Sequence, residues 1–414
     1  QENETGISIS GMRLEDAIKL IKGPKGTTVY LKVKRVDGKI EVVPVVRDIV
    51  ELDETFARSS LIEIENKKFG LIELPKFYVS FNDYGQRNAA TDVRKELEQL
   101  KAKGVSGIIL DLRNNGGGSL KTVVDMTGYF IEQGPVVQVK STGGRKEVLS
   151  DTDRSIVWDG PLVELVNEFS ASASEIIAGA LQDYKRAIVL GSKQTYGKGT
   201  VQNMVDLNSI ISNSTYGDLG ALKVTTDKFY RINGRSTQLE GVQSDIVFPD
   251  RYAYVEMGEK DQDNPLPWDR ITPANYEPWK FQLNYDEAIA NSQNRLKNNP
   301  LVDLIDEQAQ WVKKQQNKSE YSLTFDDFKT ERSKNKSLSE KFEKINSFES
   351  EYQFQWLPDA SHKGAITEDF KEKRERWQKS LKKDLYIYEA VHILSDLSHN
   401  LAKPKPIKTA STFE

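Results

Sequence analysis

Cysteine is absent from all 414 residues, which excludes disulfides, thiolate metal sites and a thiol nucleophile. The same absence does not separate the cytoplasm from an oxidising compartment. Histidine is scarce: His362, His392 and His399 all fall in the last 53 residues, away from every glycine-rich segment. No run approaches the roughly 18 apolar residues of a membrane span. No signal peptide is visible, and Gln1 is not a natural start, so the chain reads as cut and its leader is not judged from it. Charge of one sign is not in excess either. Lys and Arg number 58 against 62 Asp and Glu, a net charge of −4, and this excludes the basic footprint of a nucleic-acid binder. No repeat of fixed period is present. What remains is a polar chain, 37% hydrophobic and 29% charged, long enough for two or three domains.

Three segments follow from the pattern. Met12, Leu14, Ala17, Ile18, Leu20 and Ile21 recur at helical spacing over 12–22, and Gly23-Pro24-Lys25-Gly26 stops the helix. Val29, Leu31 and Val33 alternate with Tyr30, Lys32 and Lys34 as a strand; Asp37-Gly38 turns the chain into a second strand over 40–46. A helix and a hairpin are too little for a core of their own. From about residue 60 to 250, strands at 69–74, 107–112, 161–166 and 187–191 alternate with helices at 88–103 and 172–184. This is the rhythm of an α/β domain. Residues 222–226 and 228–232 read as two later strands. Beyond about 255, charge runs such as that at 371–377 take over, and 284–317, 335–348 and 364–402 read as helices with solvated faces. The Lys/Pro-rich end, 403–408, is expected to fray. The expected boundaries are therefore 1–48, 49–254 and 255–414.

With no thiol and no nearby imidazole, hydrolytic chemistry would rest on a serine activated by a lysine. Phe169-Ser170-Ala171-Ser172-Ala173-Ser174-Glu175 opens a helix of small residues. Ser172 and Glu175 fit a capping box, which is the purely structural reading. A serine there also sits in the positive end of the helix dipole, and the amide of Ala173 is placed to donate to an oxyanion. Ser170 and Ser174 are rival nucleophiles, and spacing does not choose among the three. Tyr196-Gly197-Lys198-Gly199-Thr200 is either an exposed turn or a close-packed one that points its lysine inward. To act as a base, Lys198 must lose about three pKa units from roughly 10.4, so its site must be enclosed and mostly apolar. Asp111-Leu112-Arg113-Asn114-Asn115-Gly116-Gly117-Gly118 follows a strand. It is either a flexible turn or a set of free amides for an anion. Two look-alikes fail. Gly191 to Gly197 is one residue too long for a phosphate loop, and Gly199 stands where that loop needs Ser or Thr. Ser333-Lys334-Asn335-Lys336 has the serine-x-x-lysine form but lies in a charged helical stretch without companion motifs.

At these residues the chain closely resembles the tail-specific proteases, the C-terminal processing peptidases of bacteria. The resemblance runs through Gly11-Met12-Arg13-Leu14-Glu15-Asp16-Ala17, Leu20 to Gly26, Asp111 to Gly118, Phe169 to Glu175, Gln182-Asp183-Tyr184 and Tyr196 to Gln202. It continues through Lys228 to Gly234 and Asn264 to Asp269. It implies a crotonase-like α/β serine protease core, a partial PDZ segment over the first 48 residues, and a C-terminal helical domain. It also implies roles: Ser172 as nucleophile, Lys198 as base, Gln202 as the residue that helps position the lysine, and Asp183 as an acidic residue implicated in activity through a structural role. Gly118 and Ala173 match the oxyanion donors, and Leu14 and Ile18 are candidate groove positions on the PDZ helix, where core packing is the default. Ser172 and Lys198 are 26 residues apart, one more than the family pattern, and the loop 192–195 can absorb the extra residue. The first half of the PDZ domain and the helical N-terminal region of longer members are not in this chain.

The expected function is a serine endopeptidase that engages the C-terminal tail of a protein and cleaves through an acyl-enzyme, without metal or other cofactor. The resemblance implies substrates with apolar C-termini, a lipoprotein-like adaptor and a periplasmic or cell-envelope location, with no nucleic-acid partner. The alternatives are a non-catalytic tail-binding scaffold, an inactive truncated form, and an esterase or amidase with the same dyad.

Overall fold

The alternation of Val29, Leu31 and Val33 becomes strand β1 (Thr28–Lys34), which pairs antiparallel with β2 (Ile40–Val46) in register Thr28↔Val46 to Lys34↔Ile40. Helix α1 (Leu14–Ile21) precedes them. In this first unit, residues 1–53, Ala17 is the only hydrophobic side chain buried among the described residues. That agrees with a hairpin and helix too small to enclose a core. The computed structural model describes residues 6–34, 39–47, 55–80, 83–211, 217–280, 283–357 and 368–400. The expected turn at Asp37-Gly38, the frayed tail at 403–408 and His362 lie outside the described residues.

The second unit, residues 54–414, contains the remaining elements. They begin with β3 (Arg58–Ile64), β4 (Lys67–Glu73), α2 (Ala89–Ala102), β5 (Ile108–Asp111), α3 (Leu120–Thr127), β6 (Gly134–Ser141) and β7 (Lys146–Asp151). Then come β8 (Leu162–Val166), α4 (Ala173–Asp183), β9 (Ile188–Gly191), β10 (Thr200–Asp206), α5 (Leu207–Ile210), β11 (Ala221–Tyr230) and β12 (Ile246–Val247). The last are α6 (Tyr285–Lys297), α7 (Pro300–Gln316), α8 (Phe325–Asn346), β13 (Gln353–Trp356), α9 (Glu368–Lys382) and α10 (Leu385–Asn400).

The main sheet has the order β12-β9-β8-β5-β4-β3-β13, parallel from β12 to β4 and antiparallel at β3 and β13. Every residue of β5, β8 and β9 is buried, as expected of parallel strands covered on both faces. Val93, Leu97 and Leu100 of α2, Val123 of α3 and Ile177 and Leu181 of α4 form one apolar layer with Ile108, Leu110 and Leu162 of the strands. On the other face, Ile109, Val163 and Leu165 meet Ile387, Val391 and Leu394 of α10, with Leu381 of α9 and Ile305 of α7. The charged C-terminal segment thus turns its apolar stripe onto the sheet and gives it a seventh strand. A second sheet, ordered β10-β11-β6-β7 and antiparallel throughout, is built in the same unit from strands inserted between β5 and β8 and between β9 and β12.

Four expected elements differ from the structure, each for a local reason. The expected strands 222–226 and 228–232 merge into one, β11, which ends at Tyr230 and leaves 231–232 outside it; Asp227 sits inside it, beside a register shift opposite Val201/Gln202. The shift leaves Thr226 as the extra residue of a bulge, while Asp227 stays paired with Val201 and Ser141, so the strand runs through the charge that reads as a break. The stretch 284–317 is two helices: Pro300 opens α7, and Asn299 Oδ1 accepts from Leu301 N at 3.0 Å. The described part of 364–402 is also two helices, divided at Asp384, whose carboxylate caps Tyr386 N at 2.9 Å and Ile387 N at 3.2 Å. Helix α8 begins ten residues earlier than the expected 335, at a Thr324 cap that accepts from Asp327 N.

Candidate active site

Two loops leave the carboxyl ends of neighbouring parallel strands, where open α/β sheets place their ligands. The loop after β5 holds Asn114 to Gly118, and the loop after β8 holds Asn167 to Ser172. The two are stitched together. Asn114 N donates to Asn167 Oδ1 and Asn167 Nδ2 donates to Asn114 Oδ1, both at 2.9 Å. Asn115 reaches back to the sheet through Nδ2 to Leu74 O at 2.7 Å, and its own carbonyl accepts from Ala171 N at 3.0 Å.

This framework treats the three serines differently. Ser170 is fully buried; its hydroxyl donates to Leu112 O at 2.8 Å and accepts from Asn167 N at 2.9 Å. Ser174 is fully buried as well and donates to Asn115 O at 2.8 Å. Both hydroxyls are spent on backbone carbonyls. Ser172, between them, is half-buried and has φ 57° and ψ −110°. An ordinary helix cap is extended. A non-glycine residue at positive φ carries backbone strain, which persists only where its surroundings over-determine it.

The surroundings here centre on one carboxylate. Glu175, three residues into α4, is fully buried. Its Oε2 accepts from Ser172 N at 2.7 Å and from Lys198 N at 3.0 Å. Its Oε1 accepts from Gly197 N at 2.7 Å and from Thr195 Oγ1 at 2.6 Å. Burial pushes the Glu175 carboxyl up to about 7, against the pull of these four donors. The turn that carries Lys198 is also fixed from outside: Tyr196 N donates to Ser170 O at 3.0 Å and Gly199 N to Gln238 Oε1 at 2.9 Å. Burial lowers the pKa of the half-buried Lys198 ammonium, and the like charge of Lys223 lowers it further. Lys198 Nζ donates to Gln202 Oε1 at 3.3 Å. No hydrogen bond joins Lys198 Nζ to Ser172 Oγ among the described residues.

The glycines of the 116–118 loop are there for contact. A Cβ on Gly117 (φ 98°) would lie 2.8 Å from Ser172 Cβ and 3.0 Å from Ala173 N. A Cβ on Gly118 (φ 148°) would collide with the Phe77 carbonyl, because Gly118 bridges to Phe77 as a short parallel pair. The Gly117 amide is spent on Asn115 Oδ1 at 2.9 Å. The amides of Gly118 and Ala173 have no hydrogen-bond partner among the described residues.

The remaining candidates lie apart from this cluster. Asp183 ends α4, eleven residues after Ser172, so roughly 16 Å along the helix. It accepts from Arg231 at 2.5 and 3.1 Å and from Asn233 Nδ2 at 2.8 Å, and so pins α4 to the segment after β11. Leu14 and Ile18 belong to the first unit, one turn apart on α1; Leu14 is exposed and Ile18 half-buried. His392 packs between Tyr388 and Tyr352 on α10. No group of His, Asp and Glu fit to hold a metal ion occurs among the described residues. Thr195 and Asn115 are the residues that the sequence did not single out, and Glu175 was singled out only as a cap. Their signal is weak, because nothing in the spacing shows that residues 195–198 return to Glu175.

Residues 68–248 match the model of peptidase family S41, and residues 252–399 match the C-terminal domain of tail specific protease. The tail-specific protease of Haemophilus influenzae is 37% identical over 347 residues, which is 81% of this chain and 48% of that protein. A carboxyl-terminal-processing protease of Picosynechococcus is 33% identical over 287 residues, 69% of this chain and 62% of that protein. A carboxy-terminal-processing protease of Bartonella bacilliformis is 35% identical over 271 residues, 62% of this chain and 56% of that protein. The chain therefore spans less than two thirds of the length of each of these relatives.

Proposed function

The chain belongs to peptidase family S41, with the C-terminal domain of the tail-specific proteases, and from that premise we propose a serine endopeptidase with Ser172 as nucleophile and Lys198 as general base. The observation that carries this reading is the Glu175 carboxylate, which holds the backbone of the strained Ser172 turn and of the Lys198 turn at once. Neutral Lys198 takes the Ser172 proton as Oγ adds to the scissile carbonyl. The oxyanion forms against the free amides of Gly118 and Ala173. Lys198 then protonates the departing amine, leaving an acyl ester on Ser172, and water activated by the same lysine hydrolyses that ester. Gln202 holds the lysine side chain in reserve, and Asp183 positions α4 through Arg231.

The substrate in this reading is a polypeptide engaged by its apolar C-terminal tail. The first unit serves as part of a PDZ-like tail-binding module with Leu14 and Ile18 on its helix, and a lipoprotein-like adaptor is the proposed partner. The proposed location is the periplasm or cell envelope. No helix among the described residues is long and apolar enough to cross a membrane. One observation favours the inactive-form alternative: Lys198 Nζ is on Gln202, not on Ser172 Oγ. Cleavage of an unfolded protein with an apolar C-terminus separates the two. The endopeptidase reading expects cleavage that Ser172→Ala and Lys198→Ala each abolish. Cleavage retained in either variant contradicts the mechanism, and none by the parent chain supports the inactive form.

A further inference from the structure

Sheet edges are hazardous because their unpaired N–H and C=O groups recruit other strands, and proteins blunt them with charge or brevity. In residues 54–414, three of the four edges of the described sheets are blunted. β12 has two residues and β13 four, and β7 carries Lys146, Glu147 and Asp151. The fourth, β10, is seven residues long and reads Thr-Val-Gln-Asn-Met-Val before its first charge, Asp206. It is also the edge that starts two residues after Lys198, and its Gln202 holds the Lys198 ammonium at 3.3 Å. The hairpin arm that β10 opens bears exposed apolar side chains: Met204, Leu222, and Ile210 and Ile211 at the end of α5.

We propose that the outer edge of β10 takes the substrate polypeptide as an added strand, which makes it the surface that aligns an extended, apolar-rich chain with the dyad. The proposal rests on the reading of Ser172 and Lys198 given above. An added strand lies about 4.8 Å from its neighbour, so a chain paired with β10 runs alongside the strand that carries the lysine's partner. Phe229 N donates to Gly199 O at 2.9 Å, so Gly199 faces β11. By the alternation of an antiparallel ladder, Thr200, Gln202 and Met204 turn their backbone groups outward. Recognition through these groups reads the extended backbone and not one side chain, as suits an enzyme acting on unfolded chains.

The test uses the full chain, a short quenched-fluorescence peptide with an apolar C-terminus, and a small fluorophosphonate that needs no strand. Met204→Pro removes one outward N–H, whereas Met204→Ala keeps it. The expected result is a rise in peptide KM of about tenfold for Met204→Pro, little change for Met204→Ala, and fluorophosphonate labelling at the parent rate in both. Equal KM in the two variants overturns the proposal. If Met204→Pro fails to fold by circular dichroism, two N-methylated forms of the peptide, offset by one residue, replace it. Each is assayed against the parent and Met204→Ala. Loss of cleavage for one form and its retention for the other supports strand pairing, and equal cleavage of both overturns it. Failure of fluorophosphonate to label the parent at Ser172 would instead sink the dyad reading.

Discussion

At the scale of single residues, the site depends on what each polar group has already committed. Ser170 and Ser174 are closed off by Leu112 O and Asn115 O, so their loss is structural. Ser170→Ala and Ser174→Ala should each lower stability by about 1–2 kcal/mol in denaturant titrations while leaving Ser172 reactive. Glu175 gives two pH signatures. Its pKa lies near 7 in the fold against 4.5 when unperturbed, so between those values the folded chain holds a proton that the unfolded chain has released. Its contribution is complete below pH 4.5 and is lost as pH rises through about 7. Denaturant midpoints at the two ends of that window should fall with pH more steeply in the parent than in Glu175→Gln. The amide also replaces one acceptor with a donor among four donors, so kcat should fall at least about tenfold. For Lys198, burial lowers the pKa from 10.5, and only the neutral amine is a base. Acylation of Ser172 should therefore rise with pH and level off with a midpoint below that of an exposed lysine; a midpoint at the ordinary value would remove Lys198 from the role.

At the scale of elements, α4 links chemistry to scaffold. Its first turn carries Ser172 and Glu175, and its last carries Asp183, ion-paired with Arg231 where both are largely buried. Asp183→Asn leaves that guanidinium without its charge partner, and stability should drop by about 3 kcal/mol, read as a shift in urea midpoint. If labelling of folded Asp183→Asn were lost without any change in midpoint, Asp183 would act directly and not by positioning. The strands flanking α4 and the helix itself were legible in the sequence, because buried parallel strands are plain apolar runs and the helix starts at a serine cap. β6, β7 and β10 were not, since they alternate weakly and mix charge with small residues. The break between α6 and α7 was written at Asn299-Pro300 and could have been read there. The serine, lysine and glycine motifs were visible as types at spacings. Their junction through Glu175 and Thr195 was not, because it is made by backbone amides, which leave no mark on sequence.

At the scale of the whole molecule, residues 54–414 form one compact unit in which the charged C-terminal helices cover one face of the sheet. Leu394 of α10 is fully buried and packs on Gly107 just ahead of β5, the strand whose far end opens the glycine loop. Leu394→Ala should cost about 2–5 kcal/mol, lowering the thermal midpoint of the unit without changing the labelling of folded protein. The C-terminal segment is in this sense part of the scaffold under the site. The central claim is that this scaffold holds one reactive serine and one basic lysine by a shared carboxylate. Its most direct test is intact-mass and peptide mapping of the full chain after fluorophosphonate treatment. The account predicts a single adduct on Ser172 that forms at least a hundredfold more slowly in Lys198→Ala, on the scale of about 10²–10⁴ expected of a general base. An adduct on Ser170 or Ser174, or an unchanged rate in Lys198→Ala, would contradict it.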